Sequence, residues 1–379
     1  MAATYDNHRR FRRALLPAFS DRAIRAQGPL FKRHVDTLIT SLRKVSEDGN
    51  TPVDMVRMYN FTTFDVMGDF VFGEPLGLLE HLQYTPQVEA PFKTVKYLPL
   101  MQMIEYYPLL KATWDYFEPK AITAMRHSNV EFARAAVDAR LSKGSDQPDM
   151  WNLVMSAGGD KGMSPGEMYS NSDVFIIAGS ETTATLLSGL TFMLLTHPDK
   201  MARIVKEIRS TFTSDPDIDM HKLAGLPYLN ACISEALRVY PPLPAAVPRF
   251  VGANVGASTE ILGRQVPSGT RLSVHHWASS HSPDNFTNPD TFVPERWLGT
   301  DERYKNDKLQ GAQPFSFGPR NCIGQNMALH EMRMIAAKVL FNFDLELCSK
   351  NDNWLDQRVF VLWEKRNLMC KLTPVAVAF

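Results

Sequence analysis

The window from Val174 to Leu195 is the most apolar of the chain and is long enough to cross a bilayer. Its centre carries Ser180, Glu181, Thr182, Thr183 and Thr185. An acidic group at that depth is costly in lipid unless it faces a polar cavity. The window therefore reads as a long helix buried in a soluble core. Apolar spacing of three and four residues dominates the first two thirds of the chain. Gln27 to Lys44 lines up Leu30, Phe31, Val35, Leu38, Ile39 and Leu42, and Val130 to Leu141 does the same with Phe132, Ala133, Ala136 and Val137. Thr85 to Pro119, with Pro86, Pro91, Pro99, Pro108 and Pro119, reads as short helices between loops. After His197-Pro198 a helix runs to about Phe212, and another lies near Tyr228 and stops at Pro241-Pro242.

From there Pro and Gly punctuate short strands such as Thr270 to Val274. Arg358 to Trp363 and Leu368 to Leu372 flank the polar turn Glu364-Lys-Arg-Asn as in a hairpin. The fold class expected is mainly α with a small β part, in one domain over 1–379. Residues 1–240 are mostly helical, 241–300 are β-rich, and 301–379 hold a cysteine loop, the helix after it and the C-terminal hairpin.

With 44% apolar residues the chain can bury a large core, and its 41 Lys plus Arg balance 41 Asp plus Glu, so no basic excess points to nucleic acid. The four cysteines are widely spaced without a C-x-x-C pair, which reads as a reducing compartment and mostly free thiols. Met1 to Arg25 contain six arginines against Asp6 and Asp21, a composition like that of a mitochondrial presequence. No stretch near the N-terminus has the apolar run of a signal peptide or anchor.

The most informative segment is Pro314-Phe-Ser-Phe-Gly-Pro-Arg-Asn-Cys-Ile-Gly-Gln, followed by an amphipathic helix through Leu329, Met332, Ile335, Ala336 and Val339. Cys322 falls at a helix start, where unpaired amides, the helix dipole and Arg320 are expected to depress the thiol pKa. Gly318 and Gly324 let the backbone approach a flat partner, and Phe315 can cover the sulfur. One thiolate with open space suits haem iron better than zinc, which wants further ligands nearby. A lone Cys is ordinarily a buried structural residue. The joint placement of Phe315, Gly318, Arg320, Cys322 and Gly324 argues against that reading.

This segment resembles the cysteine loop of the cytochrome P-450 family, F-x-x-G-x-R-x-C-x-G, at every fixed position. The resemblance implies that Cys322 is the axial ligand of haem b. Ala178-Gly-Ser-Glu-Thr-Thr matches the family's oxygen-activating motif, which implies that Glu181 and Thr182 lie over the haem and deliver protons to bound dioxygen, with Gly179 leaving room for it. Glu235-Ala-Leu-Arg238 and Pro294-Glu-Arg296 resemble the family's E-x-x-R and P-E-R-F elements, with Trp297 in place of the final Phe. They imply a desolvated ion network that holds the cysteine loop. The arginine-rich start resembles the helix that contacts a haem propionate through W-x-x-x-R, with His8 at the Trp position. Arg12 is then the propionate partner, with His8, Arg249 and Arg320 as further contacts. The remaining arginines fit a solvated face or a docking surface for a reductase.

Membrane-bound eukaryotic members carry, before this arginine helix, an anchor, two early helices, strands of the main sheet and a loop that roofs the substrate pocket. The sequence reads as a cytochrome P-450-like fold lacking these, either a truncated fragment or a natural short form. Ala18 to Arg25, Phe64 to Gly73 and the ending Leu368 to Leu372 look like fungal members that tailor polyketides and terpenoids. The implied function is a monooxygenase that inserts one atom of dioxygen into an apolar small molecule, with electrons from NADPH through a separate reductase. Family position puts Phe175, Ala178, Ala245, Ala246, Val247 and Leu362 on the substrate side. The family implies the endoplasmic reticulum membrane, whereas the chain as it stands reads as soluble or peripheral on the cytoplasmic side. The alternatives are an inactive haem-binding remnant and a reductase-independent isomerase or dehydratase.

Overall fold

The computed structural model describes residues 4–86, 88–89, 96–117, 120–144, 150–156, 163–245, 247–251, 258–349 and 353–375. Within them the helical spacing becomes helices at the expected places. Gly28–Ser46 buries Phe31, Val35, Leu38, Ile39 and Leu42 on one side. The Val130 to Leu141 stretch lies inside Lys120–Ser142. The proline-rich stretch forms Leu98–Tyr106 and Pro108–Phe117, while Pro91 and Pro119 fall outside the described residues. Pro198–Thr211 and Pro227–Val239 each begin with a proline in the first turn, where its missing N–H costs nothing.

The apolar window lies in the 32-residue helix Pro165–Thr196. A capping box starts it: the Glu167 N–H donates to Ser164 Oγ at 3.4 Å and the Ser164 N–H to the Glu167 carboxylate at 2.8 Å. By length and hydropathy it is the one candidate membrane span among the described residues, but most of its apolar window is buried inside the protein. Met55–Phe72 packs along it most extensively, and Lys120–Ser142, Pro227–Val239 and Gln325–Asn342 also lie against it. Two glycines make the close approaches possible. A Cβ on Gly179 would come within 2.5 Å of Met67 Sδ, and one on Gly189 within 2.4 Å of Tyr240 Cδ1.

The β part is small and antiparallel. Arg249–Phe250 pairs with Arg271–Leu272, shorter than the expected Thr270 to Val274, and Ser258–Ile261 pairs with Arg264–Pro267. The C-terminal hairpin expected from the sequence does not form. Val359–Phe360 folds directly onto Leu362–Trp363 about Val361, whose φ is +79°. Met369–Pro374 instead becomes the middle strand of a sheet between Val53–Asp54 and Phe343–Leu347, with Leu345 opposite Leu372 and Val53 opposite Cys370. That pairing puts Leu368, Cys370 and Leu372 in the core, where a local hairpin would have had no buried face to offer them.

Candidate active site

The cysteine loop closes through the Cys322 N–H, which donates to Phe315 O at 2.8 Å. Gly318 takes φ +81°, a region that favours glycine. Phe315 packs partly buried against the core, and the Cys322 side chain is exposed and free of any disulfide. Among the described residues no group of three His, Cys, Asp or Glu could hold a metal ion, so this thiol stands as a single soft donor. Its pKa departs from expectation. The surrounding protein pushes the thiol up, opposed by the Gly324 N–H and by the charge of Arg12. The reason is geometric: the helix Gln325–Asn342 begins three residues after the sulfur with Gly324 as its cap, and the cation that acts on the thiol is Arg12 rather than Arg320. A coordinated metal ion deprotonates a thiol outright, so this resting pKa is compatible with a thiolate ligand.

Arg12 reaches this loop from the first helix, Tyr5–Leu15. Its Nη1 donates to Asn321 O at 2.8 Å and its Nη2 to Asn321 Oδ1, beside Cys322. Arg249 Nη2 donates to Arg320 O at 3.5 Å. Burial lowers the pKa of His8, and the charges of Arg320, Arg12 and Arg249 lower it further. The four residues named from the sequence as carboxylate contacts are thus gathered from three separate segments. Three guanidiniums in one half-buried place suit a pair of carboxylates. Arg10 lies elsewhere and pairs with Glu167 at the start of the long helix.

Glu181 and Thr182 face different partners. Thr182 Oγ donates to Ala178 O at 2.6 Å and its side chain stays partly accessible. Glu181 is buried and forms an ion pair with Lys365, whose Nζ also donates to Thr185 Oγ1 at 2.8 Å. Burial raises the Glu181 pKa and Lys365 pulls it back. The room expected beside Gly179 is filled by Met67, so this glycine serves helix packing. Of the residues placed on the substrate side, the Phe175 ring lies 5.3 Å from that of Phe19, Val247 is exposed, and Ala246 falls outside the described residues.

Glu235 and Arg238 are fully buried and joined by two bonds, Nε to Oε2 at 2.9 Å and Nη2 to Oε1 at 2.8 Å. Arg296 Nε donates to Oε1 at 3.0 Å and Trp297 Nε1 to Oε2 at 2.8 Å. Arg238 also ties down the carbonyls of Ser280, Pro289 and Thr291, and Arg296 pairs with the buried Asp307 in the stretch that leads to the cysteine loop. Sequence reasoning missed Asp307, which sits in an unremarkable polar loop, and Lys365, which it read as part of a polar hairpin turn. It also missed Glu331, a buried carboxyl beside Thr183 whose pKa burial pushes well up. The signal for Glu331 was present, since an acid inside an apolar helix is the same clue that picked out Glu181.

A helical core, one open thiol ahead of a helix and a gathered arginine cluster are features that the sequence resemblance led us to expect. Comparison with known sequences agrees, because the cytochrome P-450 family profile matches residues 1–371, and the chain belongs to that family. Its relatives include cytochrome P-450 monooxygenase FUM2 of Gibberella moniliformis, 45% identical over 97% of this chain and 77% of that protein. Averantin hydroxylase of Dothistroma septosporum is 43% identical over 99% of this chain and 71% of its own length. Trichothecene C-4 hydroxylase of Trichoderma arundinaceum is 40% identical over 97% and 74%. The chain is an oxidoreductase of the haem monooxygenase class.

Proposed function

We propose that Cys322 is the axial ligand of haem b, that Arg12, Arg249, Arg320 and His8 hold its propionates, and that the enzyme inserts one oxygen atom into an apolar small molecule. The observation that carries this reading is the convergence of those four cationic or polar side chains beside a loop that presents one unpaired thiol. When bound, the haem supplies the activation of dioxygen. The protein's share is ligand, orientation and protons. Phe315, Gly318 and Gly324 shape the loop around the sulfur, and the Glu235, Arg238 and Arg296 network fixes the segment before it. Thr182, with its hydroxyl hydrogen given to Ala178 O, keeps oxygen lone pairs free to receive a proton, and Glu181 is the acid next to it in the helix.

Electrons come from NADPH through a separate reductase on the endoplasmic reticulum membrane. The hydroxylases among the relatives support a polyketide- or terpenoid-like substrate of fungal secondary metabolism. Reconstitution with a cytochrome P-450 reductase and NADPH, under isotope-labelled dioxygen and with such compounds as substrates, tests it. Products carrying one labelled oxygen, formed only with reductase, are expected. Turnover without reductase would replace this reading with rearrangement or dehydration, and haem binding without turnover of any compound would leave an inactive remnant.

A further inference from the structure

Among the described residues, every arginine that lies on an aromatic ring is also held by an oxygen of the protein, with one exception. Arg10 pairs with Glu167, Arg203 with Glu295 and Arg358 with Glu364. The exception is Arg271. Its guanidinium carbon lies 3.7 Å from the ring centre of Tyr106 and 4.9 Å from that of Phe250, and among the described residues it forms no ion pair and no hydrogen bond.

Arg271 sits on the strand Arg271–Leu272 directly opposite Phe250 of Arg249–Phe250. Side chains alternate along a strand, so Phe250 and Arg271 share one face of the pair, while Arg249 leaves from the other toward the Arg320 carbonyl. Tyr106, the last residue of the helix Leu98–Tyr106, brings its ring to Arg271 from outside the sheet. Tyr106 is 52% and Phe250 60% exposed, and Arg271 is half-buried. Val247, which family position puts on the substrate side, precedes Phe250 by three residues, so their Cα atoms are at most about 10 Å apart.

Rings fix the plane of a guanidinium and take water off its flat side, but they satisfy none of its five N–H groups, which point outward within that plane. What the plane lacks is a planar acceptor. A carboxylate accepts two of these N–H groups at once, and here it meets a cation whose orientation is already set. The exposed parts of Tyr106 and Phe250 offer apolar surface beside it for hydrocarbon.

We propose that Arg271, held by Tyr106 and Phe250, is a specificity-determining residue that selects apolar substrates carrying a carboxylate. The inference deepens the reading of the chain as a monooxygenase of apolar molecules and rests on the substrate side lying at Ala245 to Val247. The acid end is anchored at Arg271, and the apolar body runs inward past Val247. Arg271 binds and orients, and no bond is made or broken at it.

The test titrates haem-loaded enzyme with dodecanoate and with methyl dodecanoate as probes, reading binding by calorimetry and the approach of the tail by the shift of the Soret band. Dodecanoate is expected to bind the parent about tenfold more tightly than the ester, Arg271→Gln to remove that preference with the ester unchanged, and Arg271→Lys to keep part of it. Tyr106→Ala is expected to weaken the acid more than the ester, and Tyr106→Phe to behave as the parent, because the ring and not the hydroxyl holds the guanidinium. No preference in the parent, or a preference that survives Arg271→Gln, would overturn the proposal. So would dodecanoate held through Arg271 with the Soret band unmoved, since the acid would then lie away from the substrate pocket. Should the chain take up no haem, calorimetry still reads the Arg271-dependent preference, and finding it there would sink the haem-thiolate reading while the anion site stands.

Discussion

The indole N–H of Trp297 donates to Oε2 of Glu235 at 2.8 Å, completing a carboxylate already held by Arg238, Arg296 and the Val293 N–H. Trp297 is thus more than an aromatic substitute for the family's Phe. Replacing it by Phe keeps the ring and removes one donor to a buried charge, so Trp297→Phe is expected to cost about 1.5–3 kcal/mol. Glu235→Ala strands two buried guanidiniums and is expected to cost about 3–5 kcal/mol. Denaturant midpoints measure both, and equal midpoints for Trp297→Phe and the parent would remove the indole from the network.

Gly189→Ala separates packing from helix propensity. Alanine favours a helix interior over glycine by about 0.5–1 kcal/mol. The added methyl meets the ring of Tyr240, which is buried and stacked on Trp363 and cannot swing aside. A net loss of about 1–3 kcal/mol is expected. Gly179→Ala meets only the flexible end of Met67 and should cost less, so the reverse order in thermal unfolding would contradict this packing.

Asp69 carries a pH signature. Burial pushes its carboxyl up, but the bond from His34 Nε2 at 2.7 Å and the nearby Arg33 more than reverse this, and the net pKa lies below the usual range. A depressed carboxyl contributes its stability above its unfolded value of about 3.9 and loses it as pH falls through the folded value. Asp69→Asn is therefore expected to be less stable than the parent at pH 6–7, with the gap closing as pH falls below about 4. A gap that stayed constant with pH would sink the assignment.

Much of this architecture can be read from the sequence where one segment carries its own period or motif. The spacing in Gly28–Ser46, the acid and hydroxyls inside Pro165–Thr196 and the loop around Cys322 needed no partner to be recognised. What misled were decisions made by distant segments. The strands around Glu364 to Asn367 satisfy every local rule for a hairpin, yet Phe343–Leu347, a segment more than twenty residues upstream, captures the second of them. A lysine in a polar turn points to solvent by default, and only the fold brings Lys365 to Glu181, 184 positions earlier. Gly179 announces a close approach but not its partner. The Cys322 pKa depends on how much protein surrounds the sulfur, which no motif records.

Arg12 joins the first helix to the residue beside Cys322 and belongs to the proposed propionate site. Arg12→Ala is expected to speed haem loss to a scavenger protein about tenfold, the equivalent of one charge-assisted hydrogen bond. Unchanged haem retention would assign the arginine to the loop alone.

The central claim is that Cys322 binds haem as a thiolate. The absorption spectrum of the reduced protein under carbon monoxide tests it most directly. A red-shifted Soret band in the parent, lost in Cys322→Ala, is the predicted result. A band typical of a neutral axial ligand, or a red-shifted band that survives in Cys322→Ala, would contradict it.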